Sequence, residues 1–290
     1  MRLSIMKILE KIKGSNLYHN YRRRFNYLRI RISHIFSDDE TITKAKWSNF
    51  HSYELNLGNP KTLNEKIQWL KLHDYKPIYT IWADKYAFRQ YIKEHFGEEY
   101  LIPLIFVTNH PRQINEKNIS SFPCVIKGNH NSGDYVLLRT KDDIDSWRHL
   151  RRDCATWLKE NFYYISQERQ YKDIKRKIVV EKMLLNKEGK IPNDYKLHFA
   201  NGKLIMVYCS IDREGSNYRQ IFDHNWKLLN ISWGGVKKNY RPIPKPTTFN
   251  KMVEIGKHFA KQVCYVRVDF YDVDGKLYCG EVTLYCEFLK

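Results

Sequence analysis

Apolar residues recur at three- and four-residue steps in some stretches of the chain and gather in short runs in others, and the two patterns predict different elements. Leu3, Met6, Ile8, Leu9 and Ile12 predict a short helix, and Tyr18, Tyr21, Phe25, Leu28 and Ile32 predict a second. From Thr62 to Tyr91 the spacing is helical again. Asn59-Pro60-Lys61-Thr62 supplies a break and then a cap, Leu63, Ile67 and Leu70 keep one face, and Asp84-Lys85-Tyr86 opens a further helix carried by Phe88, Tyr91 and Ile92. Leu101 to Val107 predicts a strand, and Cys124 to Lys127 a buried one that runs directly into the polar loop Gly128 to Asp134. Tyr135 to Leu138 makes the return strand, and Asp143 to Glu160 predicts a helix. Strands are expected at Lys177 to Leu185, Lys196 to Phe199, Leu204 to Ser210 and Trp226 to Leu229, with Asn201-Gly202 as a hairpin turn. Pro246 to Val263 predicts an amphipathic helix.

The last strand pair carries the most chemistry. Arg267-Val268-Asp269-Phe270 and Tyr278-Cys279-Gly280-Glu281-Val282-Thr283 flank an Asp274-Gly275 turn. Side chains alternate faces along a strand, so Asp269 lies with Arg267 and Glu281 with Thr283. Pairing around the turn brings Asp269 and Glu281 close to opposite positions. Two facing carboxylates beside a guanidinium are unfavourable in a plain core, and a hard divalent cation completed by phosphate oxygens resolves the conflict. An ordinary solvated hairpin is the other reading.

Composition narrows the partners. The 290 residues carry a formal charge of +18, which favours anionic ligands or surfaces. Between Met1 and Phe36, nine Lys and Arg face the single acid Glu10. A basic helix with aromatics can lie on an anionic membrane surface, or pack on its own domain through Tyr21, Phe25 and Leu28. No stretch resembles a nucleic-acid-binding module, so no nucleic acid is expected. Cys124, Cys154, Cys209, Cys264, Cys279 and Cys286 lack metal-ligand spacing and are expected as reduced core thiols. No apolar run approaches the roughly 20 residues of a membrane span, and the start lacks the pattern of a secretory signal. A cytoplasmic protein, peripheral on the inner membrane face if the arm binds there, is the expectation.

Three further sites follow from local chemistry. Lys127 ends an apolar strand before a loop with Gly128, Ser132 and Gly133, whose amides can fold over phosphate oxygens; an ordinary turn is the alternative. Glu181 stands in an apolar strand, where a charge usually has a specific partner, unless it turns to water. Asp143-Ile144-Asp145 and Asp272-Val273-Asp274 form Asp-x-Asp patterns of the kind a sugar-nucleotide transferase uses for metal, though the first also suits a helix cap and the second a turn.

The order of these pieces resembles the ATP-grasp superfamily, and within it the TupA-like ATP-grasp family. The matching stretches are Lys61 to Lys66, Ala83 to Arg89, Phe122 to Gly133, Asp194-Tyr195-Lys196 and Arg267 to Thr283. The resemblance implies an α/β ATP-grasp fold with a basic helical N-terminal extension. It implies an arm over 1–58, an N-terminal region over 59–120, a lid-like subdomain with a phosphate loop over 121–185, and a C-terminal subdomain with a metal site over 186–290. ATP and Mg2+ are the implied cofactors. Lys85 and Lys127, with Gly128, Ser132, Gly133 and Lys196, would contact the nucleotide; Glu181, Lys182, Met183 and Leu184 would line the adenine pocket. Asp269 and Glu281, with Thr283 where relatives often carry Asn, would hold the metal. Arg267 and Lys127 would act on the reacting phosphoryl group. The implied reaction joins a carboxylate, a uronic acid or an amino acid, to an amine in cell-surface polysaccharide biosynthesis. The family usually continues beyond Glu281 into a glycine-containing segment, and the end at Lys290 is expected to remove part of the acceptor pocket. A glycosyltransferase of the same pathway, or a nucleotide-binding protein with impaired catalysis, are the alternatives.

Overall fold

The computed structural model describes residues 16–231 and 241–286, and of residues 16–21 only the helical backbone. The helix expected at 3–12, the Tyr18 and Tyr21 side chains and the last four residues lie outside the described residues. Helix α1 runs Asn16–Phe36. Asp38 then caps α2 (Asp39–Ser48), which the sequence pattern did not reveal, by accepting from the Thr41 amide at 2.8 Å.

The helical stretch after residue 60 divides into three: α3 (Leu63–His73), α4 (Pro77–Ala83) and α5 (Ala87–His95). At the start of α3 the Glu65 amide donates to Thr62 Oγ1 (3.2 Å) and the Thr62 amide donates to Glu65 Oε2 (2.8 Å), a reciprocal cap. Pro77 forces the break between α3 and α4, because it lacks an amide hydrogen and pushes Lys76 into extended backbone. Asp84 opens α5 by accepting from the amides of Tyr86 and Ala87.

Strands β1 (Leu104–Thr108), β2 (Cys124–Gly128) and β3 (Tyr135–Leu138) precede α6 (Trp147–Lys159) and α7 (Phe162–Ser166); β4 (Ile178–Lys182) follows. These strands form an antiparallel sheet in the order β1-β4-β2-β3. Its inner face packs Ile126, Leu138, Ile178 and Val180 against Leu150, Cys154 and Trp157 of α6. The α6 helix begins later than its pattern suggests. Asp143 is taken up by the preceding turn, where it accepts from the Arg139 and Thr140 amides, and Ser146 caps the helix.

A second antiparallel sheet, ordered β7-β6-β5-β8-β9, is built from β5 (Asp194–Ala200), β6 (Lys203–Ile211), β7 (Tyr218–Phe222), β8 (Tyr265–Val273) and β9 (Lys276–Thr283). Asn201 and Gly202, and again Asp274 and Gly275, take positive φ at consecutive positions, the backbone that two-residue hairpins of this twist require. The segment expected as a strand at Trp226–Leu229 forms only a single antiparallel bridge, Leu228 to Phe222, after a turn at 224–225. Trp226 has a φ of 67° and stacks its ring on Phe222 at 4.4 Å. Helix α8 (Phe249–Ala260) covers this sheet so closely that a Cβ on Gly256 would stand 2.4 Å from the buried Phe199 ring. Trp82, Phe199, Phe259 and Phe270 anchor the larger core. Five cysteines are buried as expected, but Cys264 is exposed at the approach to β8; all six are free.

Candidate functional site

A cavity of about 280 Å³ lies between the two sheets. One wall comes from β2, β3 and β4 and their loops: Val125, Lys127, Leu137, Glu181 and Lys182 to Leu184. The opposite wall comes from β5, β8 and β9: Asp194, Lys196, Asp269, Tyr271, Gly280 and Glu281. Ile102, Val125, Leu137, Met183, Leu184 and Ile191 make one region of the lining apolar.

The β8–β9 ladder places Asp269 directly opposite Glu281 and Arg267 opposite Thr283. Gly280 is left over as a bulge between the pairs Asp269–Glu281 and Phe270–Cys279. The guanidinium of Arg267 donates through Nε to Asp269 Oδ1 (2.6 Å), and its terminal nitrogen donates to Asp269 Oδ2 (2.8 Å) and Glu281 Oε1 (3.1 Å). Lys196, across the sheet on β5, donates to Asp269 Oδ2 (2.6 Å) and to Asp194 Oδ2 (2.5 Å). Asp194 and Lys196 alternate onto one face of β5, and the β5–β8 register sets Lys196 opposite Asp269.

Burial sets the electrostatics of this cluster. It works against the ionised form of Asp269, but Arg267 and Lys196 outweigh it and hold the carboxyl below its ordinary value. The balance reverses at Asp194, where burial exceeds the pull of Lys196 and the carboxyl is raised. Burial also opposes the charge on Lys196, yet Asp194 and Asp269 raise its pKa above the ordinary lysine value. Asp194 Oδ1 is buried without a hydrogen-bond partner.

On the other wall, Glu181 is buried, so the reading in which it turns to water fails. It accepts from Arg89 (2.8 Å) and Lys127 (2.5 Å). The amides of Lys182 and Met183 are already bonded to the carbonyls of Pro103 (2.9 Å) and Pro123 (3.0 Å). Lys85 enters from the turn before α5 rather than from a helix, and its Nζ donates to the Asn131 carbonyl at 2.5 Å. Burial lowers the pKa of Lys85, and nearby Lys127 adds to this while Glu281 and Glu181 oppose it.

Of the residues singled out from sequence, Lys85, Lys127, Ser132, Gly133, Glu181, Lys182, Met183, Leu184, Lys196, Asp269 and Glu281 line the one cavity. Arg267 stands behind Asp269, and Thr283 pairs with Arg267 without reaching the lining. Gly128 also lies outside it, and a Cβ there would meet the Asn131 side chain at 2.6 Å. Asp143 and Asp145 do not line the cavity. The sequence reading gave no site role to Arg89, Asn131, Asp134 or Tyr271, and took Arg213 for a surface charge at a strand end, whereas it lines the cavity. Tyr271 was within reach, being two residues beyond Asp269 on the same face. The others are brought in by tertiary contact.

The donor set suits a magnesium ion. Asp269 and Glu281 offer two carboxylates side by side, and Mg2+ is commonly held by one or two carboxylates with substrate phosphates and water. Among the described residues no group of three or more His, Cys, Asp or Glu forms a complete metal site, so phosphate oxygens would have to complete the shell.

The family model described as TupA-like ATPgrasp matches residues 65–287. No curated protein matches the chain. Among solved structures, the ATP-grasp ligase PsnB complexed with a minimal precursor is similar at 12% identity over 77% of this chain and 60% of that one, with a TM-score of 0.42. D-alanine–D-alanine ligase from Bacillus anthracis is similar at 17% identity over 70% of this chain and 56% of that one, with a TM-score of 0.40. L-amino acid ligase from Bacillus licheniformis is similar at 13% identity over 86% of this chain and 56% of that one, with a TM-score of 0.45. The chain thus spans 56% to 60% of the length of these three structures.

Proposed function

The chain belongs to the TupA-like ATP-grasp family, and on that premise we propose that it is an ATP-dependent carboxylate–amine ligase with its nucleotide site in the cavity between the two sheets. The observation that carries this reading is the division of the cavity lining. An apolar region suited to a purine adjoins the lysines 85, 127 and 196 and the facing pair Asp269 and Glu281. The base would rest among Val125, Leu137, Met183 and Leu184, beside the Glu181 strand. Lys85, Lys127 and the amides around Ser132 and Gly133 would take the phosphates. Asp269 and Glu281 would hold Mg2+, which neutralises phosphate charge when bound.

In the reaction, an oxygen of the substrate carboxylate bonds to the γ-phosphorus while the bridging P–O bond breaks and ADP leaves. The amine nitrogen then bonds to the acyl carbon, the acyl C–O bond breaks, inorganic phosphate departs, and the amine proton passes to solvent. The chain's task is to align these groups and to set fixed charge, from Lys196 and Arg267, where negative charge develops. The division into arm, N-terminal region, lid-like subdomain and C-terminal subdomain belongs to the same proposal. So does a uronic acid or amino acid as the carboxylate, in the assembly of a cell-surface polysaccharide.

A thermal-shift comparison tests the nucleotide. MgATP at 100 times its dissociation constant should stabilise the protein by about 2.7 kcal/mol, whereas a sugar nucleotide should not. Stabilisation by the sugar nucleotide alone would transfer the site to a glycosyltransferase. Glu281→Gln is the better probe of the metal pair, since the Glu281 side chain is 40% exposed and has fewer structural contacts than Asp269. Its ATP-dependent product formation should fall on the order of 10³-fold with the fold unchanged. ATP binding with no turnover in the wild type would mark a binding protein instead.

A further inference from the structure

Arg23 reaches out of α1 to two acids on the four-stranded unit. It donates to both oxygens of Asp134, each at 2.7 Å, and through Nε to Glu160 Oε1 at 2.8 Å. A two-pronged guanidinium–carboxylate contact fixes direction as well as distance. Asp134 closes the loop after Lys127 and lines the cavity. Its Oδ2 also accepts from Asn131 Nδ2 (2.9 Å), and the Asn131 carbonyl in turn accepts from Lys85 Nζ (2.5 Å). One line of contacts therefore leads from the N-terminal helix to a lysine of the proposed phosphate site.

The loop is held at both ends, by different parts of the molecule. Its first residue, Asn129, is fixed by Asp84 (2.7 Å) and by the Lys177 amide (2.7 Å), which belong to the body of the fold. Its last residue, Asp134, is fixed by the arm. Between them stand Ser132 and Gly133, with Gly133 at a φ of 86°. The charge on Asp134 matters as much as the geometry. A carboxylate at the edge of a phosphate site repels the ligand unless a cation accompanies it, and Arg23 is that cation.

We propose that Arg23 is a positioning residue for nucleotide binding: it clamps Asp134, neutralises it, and so holds the Ser132-Gly133 turn and Asn131 in place over the cavity. This rests on the nucleotide reading given above. The clamp makes the N-terminal helix, which lies before the stretch matched by the family model, a working part of the site.

Calorimetric titration of the full chain with MgATP tests it, using Arg23→Gln, Arg23→Lys, Arg23→Gln combined with Asp134→Asn, and Arg24→Gln as the control on the exposed side of the helix. Arg23→Gln should weaken MgATP binding about 10-fold, or about 1.4 kcal/mol. Arg23→Gln leaves both Asp134 and Glu160 without their cation. Removing the Asp134 charge, the one that lines the cavity, in the double variant should recover part of that loss even though Glu160 stays unpaired. Arg23→Lys keeps the charge but not the fork, and should give an intermediate loss; it also decides the matter if Arg23→Gln does not fold. Arg24→Gln should bind as the wild type does. If Arg23→Lys and folded Arg23→Gln both bind MgATP within twofold of wild type, the clamp is wrong. A wild-type protein that binds no nucleotide overturns the nucleotide reading itself, and the clamp with it.

Discussion

The carboxylate of Asp269 accepts from Arg267 and from Lys196 at once, so the residue proposed to hold the metal also ties β5 to β8. Replacing it is therefore not a clean test of chemistry. Asp269→Asn leaves two buried cations short of a counter-charge, and breaking such a pair costs roughly 3–5 kcal/mol. The sign with pH follows from its lowered pKa. A carboxyl held below its unfolded value of about 3.9 stabilises the fold above that pH, and the benefit is lost as pH falls through the folded value. The stability gap between wild type and Asp269→Asn, measured by urea unfolding, should be constant above about pH 5 and narrow below about pH 4. A gap that persists unchanged into acid would assign the damage to packing rather than charge. Asp194, raised by burial, works in the opposite sense and weakens folding near neutrality relative to an ordinary aspartate. At this scale the sequence was readable wherever a charge interrupts an apolar strand, as at Lys127, Glu181, Asp269 and Glu281. It assigned no role to Arg89, whose guanidinium reaches from α5 to Glu181 on β4, a contact made only in the folded chain.

Helix α1 shows how far periodicity reaches and where it stops. The three- and four-residue recurrence of Phe25, Leu28 and Ile32 correctly marks a helix, but their shared face does not pack on the body. Phe25, Leu28, Ile32, Ile35 and Phe36 are all exposed, from 44% to 81%. At about 100° per residue they form one stripe, with Arg22 and Arg29 along one side and Arg24 and Arg31 along the other. Contact with the body runs through the opposite face, where Arg23 meets Asp134, Tyr27 Oη accepts from the Asn161 amide (2.7 Å) and His34 lies 3.0 Å from the Tyr164 carbonyl. An apolar stripe bordered by guanidinium groups suits an anionic bilayer, one of the two readings that the sequence left open for this arm. Full-length protein should sediment with anionic vesicles at low salt and be released at high salt. Leu28→Asp with Ile32→Asp should abolish sedimentation without lowering the melting temperature by more than about 2 °C. Equal sedimentation of the variant would remove the stripe from the account.

At the scale of the whole molecule, each sheet keeps its own core and the cavity lies between them. Short-range patterns located most of the strands. They could not assign them to two sheets, because β1, the first strand of the four-stranded sheet in sequence, pairs with β4, its last, and β5 pairs with the distant β8. A ligand held by both walls should quiet both. With MgATP bound, hydrogen exchange should slow together in the loop after Lys127 and in the β8–β9 hairpin. Protection confined to one wall would mean that the nucleotide sits on a single sheet. Among the described residues no helix is long and apolar enough to cross a membrane.

The facing acids depend on an odd residue. Counted outward from the Asp274-Gly275 turn in unbroken pairs, the ladder would oppose Asp269 with Gly280 and send Glu281 to the core side. The bulge at Gly280 absorbs that single step, and everything beyond it toward Thr283 changes face. The pair is thus a matter of parity as well as residue type. A chain without Gly280 keeps both acids on the cavity side, because Glu281 and Cys279 then follow each other in the pairing that they already have. A chain with one more residue there that keeps a one-residue bulge sets Glu281 opposite Val268 and turns it into the core.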